Sequence, residues 1–526
     1  KKTVLGTIDK TKKGSGYLIV ENNEKDFFIS EKNIKKALNG DTVECVKITN
    51  REVEVVKVIK RKKQRYVGVV FSENNQKFID YNSNKDKVVF ICNDNNIKDD
   101  DIVVFEINKW EDKLPKANVL KTLGEKGCVN NEIHAILEEF ELPYEFDKTL
   151  IKEAELLKNL QNNKEDLKRK CFRDITTFTI DPADAKDFDD AISVNKTNND
   201  TYEIGVHIAD VSHFLKENTN LNKEAEKRAT SVYLVDRVVP MLPEEISNNL
   251  CSLNPRENKY AFSAVFTFKN NTIIKEWFGK TVINSNERLS YKEAQYVIDN
   301  KKRLIPSTIS LDGKTKEINK KVEEGIYIIN NIAKKLRKER HEKGSISFNK
   351  KEVKFVLNKE KEPVRTTIKE SLSANKLIEE FMLLANKKVA KLFIKHKNGL
   401  FRVHDYPDDQ KIITLERIIK KLGYKQNLRN TKNINNQLNL LLKQTEDSPE
   451  KNLIDTLVIR SMSKAKYSTK NIGHFGLSFE KYTHFTSPIR RYPDVLVHRE
   501  LERILLNNKS NQNLEKLCLH CSNREE

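Results

Sequence analysis

The chain has 526 residues, of which 37% are hydrophobic and 33% are charged, and its formal net charge is +19. On a prior of about 150 residues per domain, this length predicts roughly three or four domains. Since no run approaches the ~20 apolar residues that span a bilayer, the sequence predicts a protein without a membrane anchor. The excess of Lys and Arg favours a polyanionic partner such as nucleic acid, and a general abundance of Lys and Asn is the alternative explanation.

Short β-type runs separated by Gly, Asn and Asp fill the first 120 residues. Because the basic residues Lys1 to Lys13 are followed by neither an apolar run nor a small-residue cleavage site, we expect no secretory signal. The runs from TVLGTI to VEVVKVI predict one small barrel, and those from YVGVVF to DIVVFEI predict a second. In the first, Tyr17, Phe27 and Phe28 lie on or beside strands with Lys nearby, a mixture suited to stacking bases and following phosphates. Packing in the barrel core is the alternative for these aromatic residues.

A charged, helix-like stretch follows from about Asn131 to Lys170, and the chain then mixes strands with long helices. FTI, YEIGVHI and AFSAVFTF predict strands, and the spacing of apolar residues predicts a helix from Ser373 to Lys397. The Asn- and Lys-rich stretch from Gln426 to Asn439 predicts a solvated insertion. The predicted fold class is multidomain α+β, with two N-terminal OB-fold barrels before a large α+β domain.

Five aspartates occur within the ten residues from Asp181 to Asp190, between the strand-like TTFTI and the apolar AISV. One or two would be ordinary turn residues, but four or five so close together repel one another unless a cation neutralises them. Carboxylate oxygens are the ligands that Mg²⁺ prefers, and two-metal sites use them to cleave phosphodiesters. The cluster therefore predicts a magnesium site.

The segment YTHFTSPIRRYP, from Tyr482 to Pro493, carries the positive charge that such a reaction needs. Its Thr, Ser and Arg donors stand in a loop before a helix predicted to begin near Asp494, where they could face a phosphate together. An Arg pair bonded to helix ends or to acidic neighbours is the structural alternative.

Three segments together resemble the catalytic domain of the ribonuclease II/R (RNB) family: TIDPADAKDFDDA, SVYLVDRVVPMLPEEISNNLCSLNP and YTHFTSPIRRYPDVLVHREL. They occur in the family's order, the paired barrels before them resemble its tandem cold-shock domains, and the wording is closer to the ribonuclease R branch. The resemblance implies a Mg²⁺-dependent, hydrolytic, processive 3′→5′ exoribonuclease. Its products would be 5′-nucleoside monophosphates, and its substrates would include structured RNA with a 3′ overhang.

By this resemblance, four aspartates hold Mg²⁺ and position the attacking water. They are Asp181, Asp187, Asp189 and Asp190. Asp189 and Asp190 are also placed among the catalytic residues, with Asp189 the most sensitive, and Asp184 lies outside the set. Arg490 matches the arginine that contacts the scissile phosphate, and its neighbour Arg491 is assigned to RNA binding.

The resemblance also implies an RNA-binding set in the large domain. Tyr233 clamps the RNA near its 3′ end with Phe348, in GSISF, as its stacking partner. Stacking suits an enzyme that ignores sequence, because every base has a π-face. Tyr291 and Glu380 match the residues that read the 2′-OH group and so distinguish RNA from DNA.

Other metal-like residues receive structural predictions. His207, Asp210 and His213 in VHIADVSHF do not have the spacing of a zinc helix motif, and the family uses neither zinc nor a triad there. The seven scattered cysteines are typical of free thiols in a reducing cytoplasm. Cys518 and Cys521 form a C-x-x-C without a second pair, so we expect them to occupy a helical core.

The predicted regions are barrels at 1–62 and 63–125, a helical linker at 126–172, the catalytic domain at 173–505 and a helical linker at 506–526. The family ordinarily continues into an S1 barrel and a basic tail, whereas this sequence ends at Glu526. We therefore expect cleavage with weaker RNA binding, or poorer discrimination between substrates, than a longer chain would show. The predicted partner is single-stranded or 3′-overhang RNA, bound by a monomer, with a helicase or the ribosome as further candidate partners.

Two other function classes are open to the sequence. An RNA-binding or chaperone protein would use the barrels, with the large domain as a non-catalytic scaffold that tolerates loss of its carboxylates. An aspartyl-phosphate phosphotransferase would place Thr or Ser after Asp-x-Asp, whereas Asp187-Phe188-Asp189 is followed by Asp190-Ala191.

Overall fold

The computed structural model describes residues 3–20, 26–94, 96–110, 114–161, 163–198, 200–348, 352–359, 361–369, 371–429, 433–508 and 513–526. The chain forms two compact units, residues 1–145 and 146–526. Among the described residues, no helix combines the length and apolarity needed to cross a membrane.

The first unit begins with a five-stranded antiparallel sheet of order β3-β2-β1-β4-β5. Its elements are β1 (Thr3–Lys10), β2 (Gly16–Ile19), β3 (Phe27–Ile29), α1 (Glu31–Ile34), β4 (Thr42–Lys47) and β5 (Val53–Lys60). Side chains that include Ile8, Leu18 and Val43 form its small core, as expected because alternate residues of a strand share a face. A bridge between Phe28 and Glu52 brings the two ends of the sheet toward each other.

The second sheet of this unit closes into a barrel in the order β10-β8-β7-β6-β9. It consists of β6 (Tyr66–Glu73), β7 (Gln76–Asn82), β8 (Lys87–Cys92), β9 (Asp101–Lys109) and β10 (Lys116–Glu125), followed by helix α2 (Val129–Glu139). Its core is aromatic, with the rings of Phe90 and Phe105 4.9 Å apart and Tyr66 and Tyr81 beside them. The two predicted N-terminal barrel folds are thereby confirmed.

A seven-stranded mixed sheet forms the centre of the second unit, in the order β11-β18-β17-β14-β13-β12-β19. Its strands are β11 (Lys170–Phe172), β12 (Thr177–Asp181), β13 (Asp190–Asn198), β14 (Thr201–Ala209), β17 (Asn258–Lys269), β18 (Thr272–Asn284) and β19 (Glu287–Ser290). Between β14 and β17 in the chain, β15 (Val232–Tyr233) and β16 (Val238–Val239) form a separate two-stranded hairpin. β12 lies between β13, which is antiparallel to it, and β19, which is parallel. Every residue of β12 is buried.

Helices and four short strand pairs surround this sheet. The helices are α3 (Lys148–Leu156), α4 (Asn163–Asp166), α5 (Val211–Phe214), α6 (Asn220–Arg228), α7 (Tyr291–Asn300), α8 (Lys320–Glu342), α9 (Ser373–His396), α10 (Asp409–Lys421), α11 (Ile434–Gln444), α12 (Lys451–Ser461), α13 (Tyr492–Leu505) and α14 (Leu514–Glu525). The further strands are β20 (Leu304–Ile305), β21 (Lys316–Glu317), β22 (Glu352–Leu357), β23 (Pro363–Lys369), β24 (Phe401–Val403) and β25 (Lys466–Ser468), and short non-α turns lie at Leu157–Leu160, Glu245–Leu250 and Phe475–Leu477. α7, α8 and α9 contact the central sheet.

One prediction about this unit is wrong. The stretch from Gln426 to Asn439 is not a solvated insertion, because Leu428, Ile434 and Leu438 are buried in a second hydrophobic cluster with α10 and α12. Residues 430–432 lie outside the described residues. The i, i+4 spacing of Ile434 and Leu438 places both on one face of α11, and that face is the one that packs.

The predicted regional boundaries stay predictions, and the division into two compact units falls inside one of the predicted regions. The predicted linker at 126–172 is split, with α2 in the first unit and α3 in the second. Within the second unit, α14 packs against β25 and α13. Cys518 and Cys521 are buried in the main core as free thiols, which confirms their predicted helical core positions.

Candidate active site

The aspartate cluster lies at one end of the central sheet. Asp181 is the last residue of β12 and Asp190 the first of β13. Because the two strands are antiparallel neighbours, the chain leaves and re-enters the sheet at the same end, which keeps both carboxylates there. Residues 182–189, all described, connect them without helix or strand. The predicted clustering therefore follows from a short connection between adjacent strands.

Burial dominates the electrostatics of these carboxylates. It raises the pKa of Asp181 to about 7 and that of Asp190 to about 8, and Asp181 adds repulsion at Asp190. Burial also raises the pKa of Asp189 well above its usual range and raises that of Asp187, while Arg490 opposes both shifts. Near neutral pH, Asp181 and Asp190 therefore retain protons that a bound cation would displace.

The segment around Arg490 docks onto the aspartates from 300 positions away in the chain. The main-chain N–H of Ile489 donates to Asp189 Oδ1 at 2.9 Å. The Arg490 guanidinium donates to Ser487 Oγ at 3.1 Å, and its Nε lies 3.8 Å from Asp189 Oδ2. With 42% of its side chain exposed, Arg490 remains accessible to a substrate while facing the carboxylates.

Arg491 and Asp184 have other surroundings. The Arg491 guanidinium is largely buried and donates to Asp494 Oδ1 at 2.8 Å, which matches the structural alternative for one member of the arginine pair. Its assignment to RNA binding stays a prediction. Asp184 is exposed, and its Oδ2 lies 3.4 Å from the ammonium of Lys354 on β22.

Two of the predicted aromatic residues lie at the cluster. Tyr291 opens α7 directly after Ser290, the register partner of Asp181, and its phenol experiences the charges of Asp190 and Asp181. Burial raises the pKa of this phenol. Tyr233, on β15, is 55% exposed and experiences the charges of Asp187 and Arg490. Both rings therefore lie near the carboxylates, and their assignment to RNA binding stays a prediction.

Phe348 and Glu380 occupy a different neighbourhood. Phe348 is half-buried against the second hydrophobic cluster, and it makes no ring contact with Tyr233 in the described part of the chain. Glu380 on α9 is buried and accepts from Arg340 at 2.6 Å, and Arg340 also donates to Ser345 Oγ at 2.8 Å. The Glu380 carboxylate has the partner that its burial requires, and both assignments to RNA binding stay predictions.

The aromatic residues of the first sheet separate by face. Tyr17 and Phe28 are 44% and 38% exposed, with their rings edge to face at 5.8 Å. Phe27 is partly buried against the core, with Lys47 Nζ 4.6 Å from its ring centre. Tyr17 and Phe28 therefore offer an exposed stacking surface, whereas Phe27 contributes mainly to packing.

The polar residues of the segment VHIADVSHF have structural partners, as we predicted. His207 is buried between the hydroxyl groups of Ser263 and Ser193, at 2.7 and 2.8 Å, and burial lowers its pKa to about 3. Asp210 is buried and paired with Arg169 at 2.8 Å. These residues connect strands and helices of the core rather than forming a reactive group.

The donor set at the cluster suits a hard divalent cation. Asp181 Oδ2 is buried without a hydrogen-bond partner, an arrangement that is costly unless a ligand completes it. Within the described chain, no group of three or more His, Cys, Asp or Glu side chains has the geometry that could already hold a metal. The four carboxylates match the ligand chemistry of Mg²⁺, and they would have to close around the ion to bind it.

Two residues at the site had no signal in the sequence. Arg288 on β19 and Ser252 in the loop before β17 both hydrogen-bond the connection between Asp181 and Asp190. A lone Arg on a strand and a Ser in a loop are common, so only the strand register and the loop path reveal these contacts.

Comparison with known proteins defines the class. The RNB domain matches residues 169–507, the ribonuclease B OB domain residues 6–60 and the cold shock domain residues 80–147. The chain belongs to the RNB family of 3′→5′ exoribonucleases, and membership implies a divalent-metal-dependent nuclease.

Within that family, the chain is similar to several ribonuclease R proteins. The chain is 35% identical to ribonuclease R of Aquifex aeolicus, over 95% of this chain and 71% of the relative, and 35% identical to that of Thermotoga maritima, over 99% and 75%. Mycoplasma genitalium RNase R, solved with ribose methylated single-stranded RNA, superposes with a TM-score of 0.88 at 26% identity, covering 99% of this chain and 84% of that one. Its complex with double-stranded RNA gives 0.81 at 27% identity, with 90% and 84% covered. The predicted family and fold class are confirmed.

Proposed function

We propose that this chain is a Mg²⁺-dependent hydrolase that removes 5′-nucleoside monophosphates processively from the 3′ end of RNA, including structured RNA with a 3′ overhang. The observation that carries the proposal is the juxtaposition of four buried or half-buried aspartates with the accessible Arg490 guanidinium. Oxygen ligands and a cationic donor are the two components that phosphodiester hydrolysis requires.

In the proposed reaction, a water oxygen bonds to the phosphorus of the terminal nucleotide while the bond from that phosphorus to the 3′ oxygen of the preceding nucleotide breaks. A proton returns to that 3′ oxygen, and the freed nucleotide keeps its 5′-phosphate. Asp181, Asp187, Asp189 and Asp190 would hold Mg²⁺, which supplies an acidified water and neutralises phosphate charge.

The protein's own groups supply positioning and charge. Arg490 donates to the phosphate oxygens as negative charge develops, and Ser487 holds its guanidinium in place. Tyr233 stacks on a base near the 3′ end, and Tyr291 reads the 2′-OH group. On the first unit, Tyr17 and Phe28 offer further stacking for single-stranded RNA.

The substrate proposal is supported by the RNA-bound relatives. Mycoplasma genitalium RNase R has been solved with single-stranded and double-stranded RNA. The seven free cysteines support a reducing cytoplasmic compartment. A monomer, and association with a helicase or the ribosome, remain part of the proposal.

A time course on RNA with a 5′ label, a duplex and a 3′ overhang tests this function, with Mg²⁺ or EDTA and with Asp189→Asn as the matched control. We expect the labelled RNA to be shortened from the 3′ end through the duplex only when Mg²⁺ is present. RNA that is bound but never shortened would instead support the RNA-binding alternative, and cleavage in EDTA would contradict the metal requirement.

A further inference from the structure

The loop that carries the catalytic aspartates has little internal support. Between Asp181 and Asp190 it makes one turn-like main-chain bond, from Ala185 N–H to the Pro182 carbonyl at 3.1 Å. When its carboxylates are ionised, their mutual repulsion favours their separation. The conformation of this loop must therefore be imposed by other elements of the fold.

Arg288 forms hydrogen bonds to the first half of the loop. It lies on β19 directly beside Thr179 of β12, which places its side chain next to the point where the loop begins. Its Nη2 donates to the main-chain carbonyls of Pro182, Ala183 and Ala185 at 3.3, 2.9 and 3.1 Å. The same guanidinium lies 4.8 Å from the ring centre of Phe188. One planar group thus contacts both ends of the connection.

Ser252 forms hydrogen bonds to the second half of the loop. Its hydroxyl accepts from the Phe188 N–H at 2.9 Å and lies within donating distance of the Lys186 carbonyl, at 3.0 Å. The adjacent Leu253 N–H donates to the Phe188 carbonyl at 3.0 Å. Lys186 and Phe188 flank Asp187, so these bonds set the direction in which that carboxylate leaves the chain.

We propose that Arg288 and Ser252 are positioning residues that hold the aspartate loop in the shape that brings Asp181 and Asp187 toward Asp189 and Asp190. In the described chain, the Arg288 hydrogen bonds go to main-chain carbonyls and not to a carboxylate. Its charge also opposes the rise in the pKa of Asp181 that burial causes. We assign the main effect of Arg288 to the geometry of the loop, because a guanidinium is planar and offers several donors, whereas a lysine ammonium is a single point charge.

The test compares Arg288→Lys, Arg288→Met and Ser252→Ala with a control, Arg303→Met. Arg303 forms an exposed ion pair with Glu317 at 2.9 Å and has no contact with the loop in the described structure. The first readout is trypsin cleavage after the exposed Lys186, followed by mass spectrometry without metal or RNA. This readout requires no activity, so its outcome does not depend on the proposed function. Only the kinetic readouts rest on that function.

We expect faster cleavage after Lys186 in both Arg288 variants and in Ser252→Ala, but not in Arg303→Met. In Arg288→Met, kcat should fall about 100-fold, the cost expected when a catalytic group moves by about 1 Å. KM for RNA should change much less, and the Mg²⁺ concentration for half-maximal rate should rise. Arg288→Lys should recover only a small part of kcat.

Full recovery by Arg288→Lys would overturn the geometric role in favour of charge alone. Wild-type cleavage after Lys186 in both Arg288→Lys and Ser252→Ala would overturn the proposal even if Arg288→Met failed to fold. An equal loss of RNA affinity and kcat in all three variants would also contradict it, because the loop would then act in substrate binding.

Discussion

Ile489 donates its main-chain N–H to Asp189 Oδ1 at 2.9 Å, across 300 positions of sequence. This bond joins the loop that carries the carboxylates to the loop that carries Arg490, and it fixes one oxygen of Asp189 while the other faces the Arg490 guanidinium. The relative placement of acidic and basic groups at the site therefore depends on a neutral main-chain donor.

Asp189→Asn should separate binding from chemistry. The amide oxygen can still accept from Ile489, so the loop contact survives, but the charge that helps to hold the cation is lost. We expect kcat to fall by about 1,000-fold or more while RNA affinity, measured by filter binding at one salt concentration, stays within about 3-fold of wild type. Turnover near the wild-type rate in a carefully purified variant would rule out this role.

Asp190→Asn should stabilise the protein when no metal is present. A carboxyl whose folded pKa is raised binds more protons in the folded state, so its burial destabilises the fold increasingly as pH rises from about 4 to about 8. Thermal melts in EDTA should show a higher melting temperature than wild type at pH 8, and the gain should shrink toward pH 5. Asp184→Asn, exposed in the same loop, is the control and should show no such gain.

Substitutions of the two adjacent arginines should have different effects, one on turnover and the other on stability. Arg490→Met should lower kcat by about 100- to 1,000-fold with little change in melting temperature, because its exposed guanidinium serves the reaction. Arg491→Met should destabilise the fold by about 3 kcal/mol, since it leaves the fully buried Asp494 without its cation. Parallel melts and turnover assays decide this, and a stable, inactive Arg491→Met would reverse the two roles.

Tyr233→Ala should weaken the grip on the last nucleotides. A stacked base is worth about 1–3 kcal/mol, so digestion should stop at a longer oligonucleotide, whereas Tyr233→Phe should retain the wild-type end point. High-resolution gels of exhaustive digests measure the end point directly. If the alanine variant stops at the wild-type length, Tyr233 does not set it.

Most of the architecture was predictable from local patterns. Period-two strands with polar turns indicated both N-terminal barrels, and helical spacing indicated α9 to within one residue of its observed end at His396. The stretch from Gln426 to Asn439 was mispredicted because its Asn and Lys composition outweighed the i, i+4 spacing of Ile434 and Leu438. Composition describes the average of a segment, whereas one buried face is enough to recruit it into a core.

What the sequence determined by itself was the acidic half of the site, because Asp181 to Asp190 are crowded in one short connection and their repulsion is visible without coordinates. The tertiary structure alone placed Arg490 against Asp189, turned Arg491 into a buried ion pair and brought Arg288 beside the aspartate loop. The physical reason is range: repulsion between neighbours in the chain is a local property, but a strand register and a contact across 300 residues exist only once the sheet has formed.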